Sequence, residues 1–146
     1  FAVEADLLLW RVHDGREPRT AAAPLCADGC TLPLRSGCVD LVMLATVLSS
    51  VDRETGRRIL GEASRVLRPG GMILVYDFRV PNPANRHTRP ITRRWLRGAL
   101  PDRQLRVRSV TLAPQIARRL GSRTERWYPR LARLPFLRTH FVLVAR

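Results

Sequence analysis

The sequence contains no lysine: all 26 of its basic residues are arginine. It has no apolar run near the roughly 18–20 residues that span a bilayer, so no transmembrane helix is predicted. Aromatic residues make up only 6% of the chain and are not interleaved with the arginines. A stacking platform for single-stranded nucleic acid needs such interleaving, so that kind of binding protein is not the favoured interpretation.

Cysteines are few and histidines are scattered. Cys26, Cys30 and Cys38 are odd in number, and the histidines at 13, 87 and 140 have no ligand spacing. A structural zinc site needs four protein ligands at characteristic spacings, and a fourth ligand at such a spacing is missing, so no metal site is predicted. We expect three small buried or half-buried thiols in a reducing cytoplasm.

Acidic residues are scarce in one half of the chain. Residues 1–78 hold 9 arginines and 10 acids, whereas residues 79–146 hold 17 arginines against Asp102 and Glu125. One interpretation is a surface for an acidic partner such as nucleic acid, anionic lipid or a phosphorylated substrate. The other is a general preference for arginine on solvated helix faces, which the absence of lysine favours.

Strand and helix patterns alternate along the whole chain, which predicts a single α/β domain with a mainly parallel sheet. Asp52 is a favourable N-cap, and apolar residues at three-four spacing follow it. The predicted strands are 1–5, 23–27, 38–44, 72–75, 105–112 and 139–145. The predicted helices are 7–16, 53–67, 92–100, 114–120 and 125–133.

The run from Arg65 to Phe78 is the most informative segment. Pro69-Gly70-Gly71 predicts a turn that ends a helix. Met72 to Val75 is apolar without alternation, as in a parallel strand covered on both faces. Ligands of open α/β sheets bind at the carboxyl ends of such strands, which places Tyr76, Asp77 and Phe78 near a site.

Several motifs occur in the order found in class I S-adenosylmethionine-dependent methyltransferases, and the chain resembles a bacterial subgroup of that family. The resemblance covers almost the whole chain. The segments that carry it are Asp6, Asp28 with 32–34, Val39-Asp40-Leu41-Val42, 45–50, 65–71, Tyr76-Asp77-Phe78-Arg79 with Asn82-Pro83, 110–114, and Leu134-Pro135 with 137–140.

The resemblance implies a Rossmann-like sheet, mainly parallel with an antiparallel final strand, that binds S-adenosylmethionine across its carboxyl edge. Asp6 matches the acid that holds the ribose hydroxyls, with Glu4 as its rival. Asp28, followed by Gly29, matches the acid that pairs with the adenine amino group. Thr46 and Val47 match positions near the methionine part. For Asp40, cofactor contact and a buried capping acid are equally weighted alternatives.

One family motif is absent. No two of the nine glycines are spaced as Gly-x-Gly, and Phe1 falls where the family's second strand begins. We therefore expect residues 1–146 to be the carboxyl-terminal portion of one methyltransferase domain, lacking the first strand and its glycine-rich loop. Residues 1–78 would form the cofactor side and residues 79–146 the acceptor side. Cofactor binding by this chain is expected to be weak.

Asp77 is the first candidate for a general base or for orienting the acceptor, and His87 is the second. The alternatives are an Asp77 paired with Arg79 or Arg86, and a solvated His87. The favoured function is methyl transfer to a small-molecule or anionic acceptor. A non-catalytic remnant of the fold and a basic nucleic-acid-binding module are the alternatives.

Overall fold

The computed structural model describes residues 26–81, 85, 87–113, 118, 120–121, 124–131 and 133–146. The predicted elements 1–5 and 7–16 lie outside these residues, as do most of 23–27 and 114–120; Cys26 and Ala27 are not in a strand. The strands are β1 (Val39–Ala45), β2 (Leu67–Phe78), β3 (Leu105–Leu112) and β4 (Arg138–Ala145). The helices are α1 (Arg53–Val66), α2 (Arg93–Ala99) and α3 (Thr124–Leu131), and a 3-10 turn covers Pro135–Leu137.

The four strands form one sheet in the order β1-β2-β4-β3. β1 and β2 are parallel, and β4 is antiparallel to both β2 and β3. Three strands therefore run in one direction and the final strand runs in the other, which confirms the predicted sheet. The carboxyl ends of β1, β2 and β3 and the start of β4 lie at the same edge.

Helix α1 begins and ends close to its predicted bounds. The Asp52 side chain accepts hydrogen bonds from the amides of Glu54 and Thr55, two donors that the first helical turn leaves without partners. The helix stops at Val66, one residue before the predicted end. Leu67 has extended dihedral angles and is already the first residue of β2.

The core lies on one face of the sheet. Ile73 and Val75 of β2 are fully buried, whereas Met72 and Leu74 between them are half-buried. The prediction of a strand buried on both faces is therefore wrong for these two residues. The buried face joins α1 and α2 in one apolar cluster that includes Val42, Leu44, Ile59, Leu60, Ala63, Ile73, Val75, Leu96 and Leu143.

Helices α1 and α2 approach closely through a glycine. A Cβ atom on Gly56 would lie 3.1 Å from the Trp95 ring. Arg53, one turn earlier, places its guanidinium 4.8 Å from the centre of the same ring and donates a hydrogen bond to the carbonyl of Pro90. The indole is therefore enclosed by the first turn of α1.

The Pro-Gly-Gly segment lies within β2 as an irregularity of the strand, not as a turn before it. Val39 pairs with Leu67 but Leu41 pairs with Met72, so residues 68–71 bulge out of register. Gly70 has a φ of +81°, a conformation that side-chain-bearing residues rarely adopt. The sequence therefore predicted correctly that regular structure is interrupted at Pro69-Gly70-Gly71. The interruption is a bulge within a strand and not the predicted turn at the end of a helix.

Gly71→Ala is expected to destabilise the fold. The added Cβ would lie 2.9 Å from the Leu67 side chain and 3.0 Å from the carbonyl oxygens of Arg68 and Asp40. Backbone atoms cannot move aside at little cost, so we expect a loss of about 1–3 kcal/mol in the free energy of unfolding, measured by urea denaturation.

Gly61→Ala is the matched control. This glycine is exposed on α1, and its Cβ would meet nothing within 4 Å. The same substitution there should stabilise the protein by about 1 kcal/mol through helix propensity. Equal shifts of the two urea midpoints would contradict the account of Gly71.

Candidate functional site

The end of β1 is held by hydrogen bonds of Thr46. Its amide donates to the carbonyl of Tyr76 at 2.7 Å, and its hydroxyl donates to the carbonyl of Ala45 at 2.8 Å. Thr46 has a φ of +56°, which is uncommon for a residue with a side chain. Its own carbonyl accepts the Ser50 hydroxyl at 2.8 Å, which closes the turn that leads to α1. Thr46 is exposed and Val47 is half-buried, so both are presented at the carboxyl edge.

Asp77 joins this turn to β2. Its side chain is fully buried; Oδ2 accepts the Ser49 amide at 3.1 Å, and Oδ1 accepts the Phe78 amide at 2.8 Å. Burial raises the pKa of Asp77, and these hydrogen bonds oppose the rise. A carboxylate that is enclosed and engaged by amides is suited to fixing the 46–50 turn.

Three rings form a cluster at the same edge. His140 stacks on Tyr76 with ring centroids 4.9 Å apart and planes within 2°, and it lies 4.1 Å from the Phe78 ring at a tilt of 42°. The Tyr76 hydroxyl is 3.0 Å from the Thr111 hydroxyl. Thr111, like Thr46, has a positive φ, here +58°. We call Tyr76, Phe78 and His140 the aromatic cluster.

His140 is the buried member of the aromatic cluster. Its side chain is buried, and burial lowers the pKa of the imidazole, an effect that the nearby Asp77 charge opposes. Nδ1 lies 3.0 Å from the Thr139 hydroxyl. The sequence analysis did not select His140, because its place depends on the antiparallel register that pairs it with Phe78.

His87 lies in a loop that returns to the strand ends. The His87 amide donates to the Asn85 side chain at 3.1 Å, and the imidazole is exposed. The Arg89 amide donates to the carbonyl of Ser49, and the Ile91 amide to that of Phe78, each at 2.9 Å. The loop is thus hydrogen-bonded both to the turn after β1 and to the end of β2. A catalytic role for His87 stays a prediction.

Asp28 and Gly29 lie in a turn beside α1. Asp28 Oδ1 accepts the Cys30 amide at 2.9 Å, and the Cys30 thiol lies 4.0 Å from the Thr55 carbonyl in the first turn of the helix. A Cβ on Gly29 would be 3.5 Å from the Ile59 side chain. Because α1 begins at the carboxyl edge, this turn lies on the same side of the sheet as Thr46. Asp6 lies outside the described residues.

Asp40 is at the opposite end of β1. Its carboxylate forms an ion pair with Arg68 at the start of β2. Five residues of extended strand separate it from Ala45, a distance of about 16 Å. This position supports a structural role that holds the starts of the two strands together.

Comparisons with known proteins agree with this architecture. The methyltransferase domain family matches residues 10–75. That segment is less than half of the chain, so the match is a similarity to methyltransferase domains over this part alone. A solved S-adenosylmethionine-dependent methyltransferase from Archaeoglobus fulgidus is 12% identical with a TM-score of 0.56, over 77% of this chain and 61% of that chain. A putative methyltransferase in complex with the Trm112 activator of Haloferax volcanii is 16% identical with a TM-score of 0.54, over 83% and 59%. These similarities show the fold alone.

Curated relatives differ in what they methylate. A tRNA N(3)-cytidine methyltransferase of Gallus gallus is 39% identical over 54 residues, 37% of this chain and 15% of that protein. The ubiquinone/menaquinone biosynthesis C-methyltransferase of Acidiphilium cryptum is 39% identical over 82 residues, 56% of this chain and 31% of that protein. The chain spans less than a third of the length of either relative, and the two relatives act on different acceptors.

The described residues fit S-adenosylmethionine in part. The Asp28 carboxylate forms no ion pair within the described ranges, which leaves it available to an amino group. The exposed Thr46 hydroxyl and half-buried Val47 offer polar and apolar contacts at the neighbouring strand end. No helix in the described part of the chain is long and apolar enough to cross a membrane. Nor do those residues group three potential metal ligands.

Asp77→Asn is expected to loosen the turn without changing side-chain shape. The amide NH₂ of asparagine would face one of the two backbone amides that the carboxylate accepts, leaving donors opposed in the interior. We expect a loss of about 1–3 kcal/mol in the free energy of unfolding. Asp102→Asn, at an exposed turn, should stay within about 0.5 kcal/mol of the unmodified protein, and equal urea midpoints for the two variants would contradict the role of Asp77.

His140 should make stability depend on pH on the acid side. Its folded-state pKa lies below the usual 6.5, so the folded protein binds fewer protons than the unfolded chain. Stability is then lost as pH falls from about 6.5 to the lowered value. His140→Phe should flatten this part of the urea-midpoint profile while keeping a ring in the cluster.

The raised pKa of Asp77 has the opposite sign, because its folded form holds a proton more readily. The difference between the unmodified protein and His140→Phe therefore isolates the histidine. His87→Gln, at an exposed loop position, serves as the control and should leave the profile unchanged. Parallel profiles for the unmodified protein and His140→Phe would disprove the assignment.

Proposed function

We propose that this chain methylates a small-molecule acceptor with a planar ring, using S-adenosylmethionine. The observation that carries the proposal is the aromatic cluster beside Thr46 at the carboxyl edge, where the Thr46 amide bonds directly to the Tyr76 carbonyl. The aromatic faces suit a planar acceptor, since offset stacking adds about 0.5–1.5 kcal/mol beyond burial. The three cysteines, all free, fit the proposed location in a reducing cytoplasm.

S-adenosylmethionine supplies an electrophilic methyl group on a positively charged sulfur. Asp28, with Gly29 beside it, would hold the adenine amino group, and Thr46 and Val47 would contact the methionine part. Asp6 remains our proposed partner of the ribose. Alignment of two bound reactants contributes most of the acceleration in such a transfer.

The remaining residues would act on the acceptor. The aromatic cluster would orient its ring and exclude water, and Asp77 would act as a positioning residue through the 46–50 turn. A base is required only if the acceptor loses a proton, and the exposed His87 on the returning loop is the residue we propose for that step.

A titration observed by NMR tests the cofactor part of the proposal even at low affinity. Adding S-adenosylhomocysteine to the full chain labelled with ¹⁵N should shift the amides of Asp28, Gly29, Thr46 and Val47, with affinity weaker than micromolar. Asp28→Asn should reduce the affinity by about tenfold, the effect of losing about 1.4 kcal/mol of charged hydrogen bonding. Glu54→Gln, an exposed carboxylate on α1, is the control and should leave the affinity unchanged.

The same experiment separates the alternatives. No shift at millimolar ligand would favour a non-catalytic remnant of the fold. Binding of generic RNA that falls steeply with salt, without cofactor shifts, would favour the nucleic-acid-binding module. Shifts confined to residues away from these four would overturn the proposed site.

A further inference from the structure

Exposed apolar side chains are concentrated in one short segment. The described residues include five large hydrophobic side chains that are exposed, and four of them fall between positions 127 and 136. The fifth is Met43, on β1. We call the four the apolar patch: Trp127 (40% exposed), Tyr128 (41%), Leu134 (39%) and Phe136 (75%).

Helix α3 and the turns after it present this patch beside a row of arginines. Arg133 donates to the Arg130 carbonyl and Leu134 to the Leu131 carbonyl, so helical turns continue past the end of α3. Arg126, Arg130 and Arg133 lie at three-four spacing, as do Trp127, Leu131 and Leu134. Residues with that spacing share a helix face, so an arginine row runs next to an apolar row.

The four side chains of the apolar patch remain 39–75% exposed. Helix α3 has no buried residue. The Arg130 guanidinium lies 5.5 Å from the centre of the Trp127 ring. The ion pairs found in the described part all lie between residues 40 and 68, so none neutralises the arginine row. Glu125 is the one acid in α3.

We propose that the apolar patch and its arginine row bind the surface of a bilayer that contains anionic lipids. A short helix with arginine beside tryptophan and tyrosine, followed by turns that carry leucine and phenylalanine, has the residue types of an interfacial segment. Tyrosine and tryptophan rings prefer the headgroup level, and each arginine near an anionic surface adds about 1 kcal/mol.

Charge distinguishes a lipid surface from a second copy of the chain. Two copies meeting through this patch would bring two arginine rows together, and like charges at short range repel. A negatively charged surface instead complements every residue of the row. Trp127 and Tyr128 alone could stack on nucleic-acid bases, but the patch also includes Leu134 and Phe136. This larger apolar area favours a lipid surface over single-stranded nucleic acid.

Co-sedimentation with vesicles tests the proposal on the full chain. We expect binding to vesicles of phosphatidylcholine with phosphatidylglycerol, at least about tenfold weaker binding to phosphatidylcholine alone, and weakening as salt rises. Trp127→Ser with Phe136→Ser should reduce partitioning by about tenfold or more through lost apolar burial. Met43→Ser removes an equally exposed apolar side chain elsewhere and should bind as the unmodified protein does.

The arginine row is tested separately. Arg126→Gln with Arg130→Gln should reduce binding to the anionic vesicles and leave the weak binding to neutral vesicles unchanged. Arg94→Gln with Arg97→Gln, two exposed arginines on α2, provides the charge-matched control. Equal losses in both pairs would show that net charge, not this segment, drives binding, and would overturn the proposal.

Tryptophan fluorescence reports insertion itself. Emission should move to shorter wavelength when anionic vesicles are added, and Trp127→Phe should abolish most of that shift while keeping an aromatic anchor and most of the binding. An unchanged shift in Trp127→Phe would contradict insertion at this residue. Because the patch residues are exposed, circular dichroism and urea midpoints should match those of the unmodified protein.

Two further outcomes would overturn the proposal. A concentration-dependent dimer that Phe136→Ser dissociates, without vesicle binding, would identify a second copy as the occupant. Binding of generic RNA that competes with vesicles and is lost in Trp127→Ser would identify nucleic acid. Failure of vesicle binding leaves the proposed methyl transfer unaffected, since none of these residues is among those proposed to hold the cofactor or the acceptor.

Discussion

The buried carboxylate of Asp77 joins the two strand ends on which the candidate site is built. It accepts the amide of Ser49 from the turn after β1 and the amide of Phe78 from its own strand. Removing a carboxylate from water is costly, as the raised pKa of Asp77 indicates. The amides that surround it compensate, and they fix the path of the chain between Thr46 and the start of α1. Asp77 thereby fixes the backbone of the site while its own carboxylate stays buried beneath it.

Local sequence patterns predicted the helices and strands that short-range interactions determine. The N-cap at Asp52 and the apolar spacing after it located α1, and alternation located β3 at its observed bounds, Leu105–Leu112. The Pro-Gly-Gly segment was recognised as a break in regular structure. That it is a bulge follows from the pairing of Val39 and Leu41 with β2, which one strand's sequence does not contain.

The antiparallel final strand was predicted, but the side chains that its pairing brings together were not. His140 joins the aromatic cluster because β4 enters the sheet between β2 and β3, thirty residues and more after either neighbour begins. Asp77 was a candidate site residue because it lies at the end of a strand, yet the burial of its side chain was not evident from the sequence. The arginine excess of residues 79–146 could be counted in the sequence. That exposed aromatic side chains lie beside some of these arginines, between positions 127 and 136, is shown only by the structure.

The close approach of α1 and α2 has an evolutionary consequence. Because the Trp95 ring occupies the space that a side chain at position 56 would need, the two positions are not independent. Among homologous sequences a larger residue at 56 should appear together with a smaller one at 95, and the guanidinium at 53 should be lost with the indole on which it rests. Positions 53, 56 and 95, in two helices, would then covary among homologues.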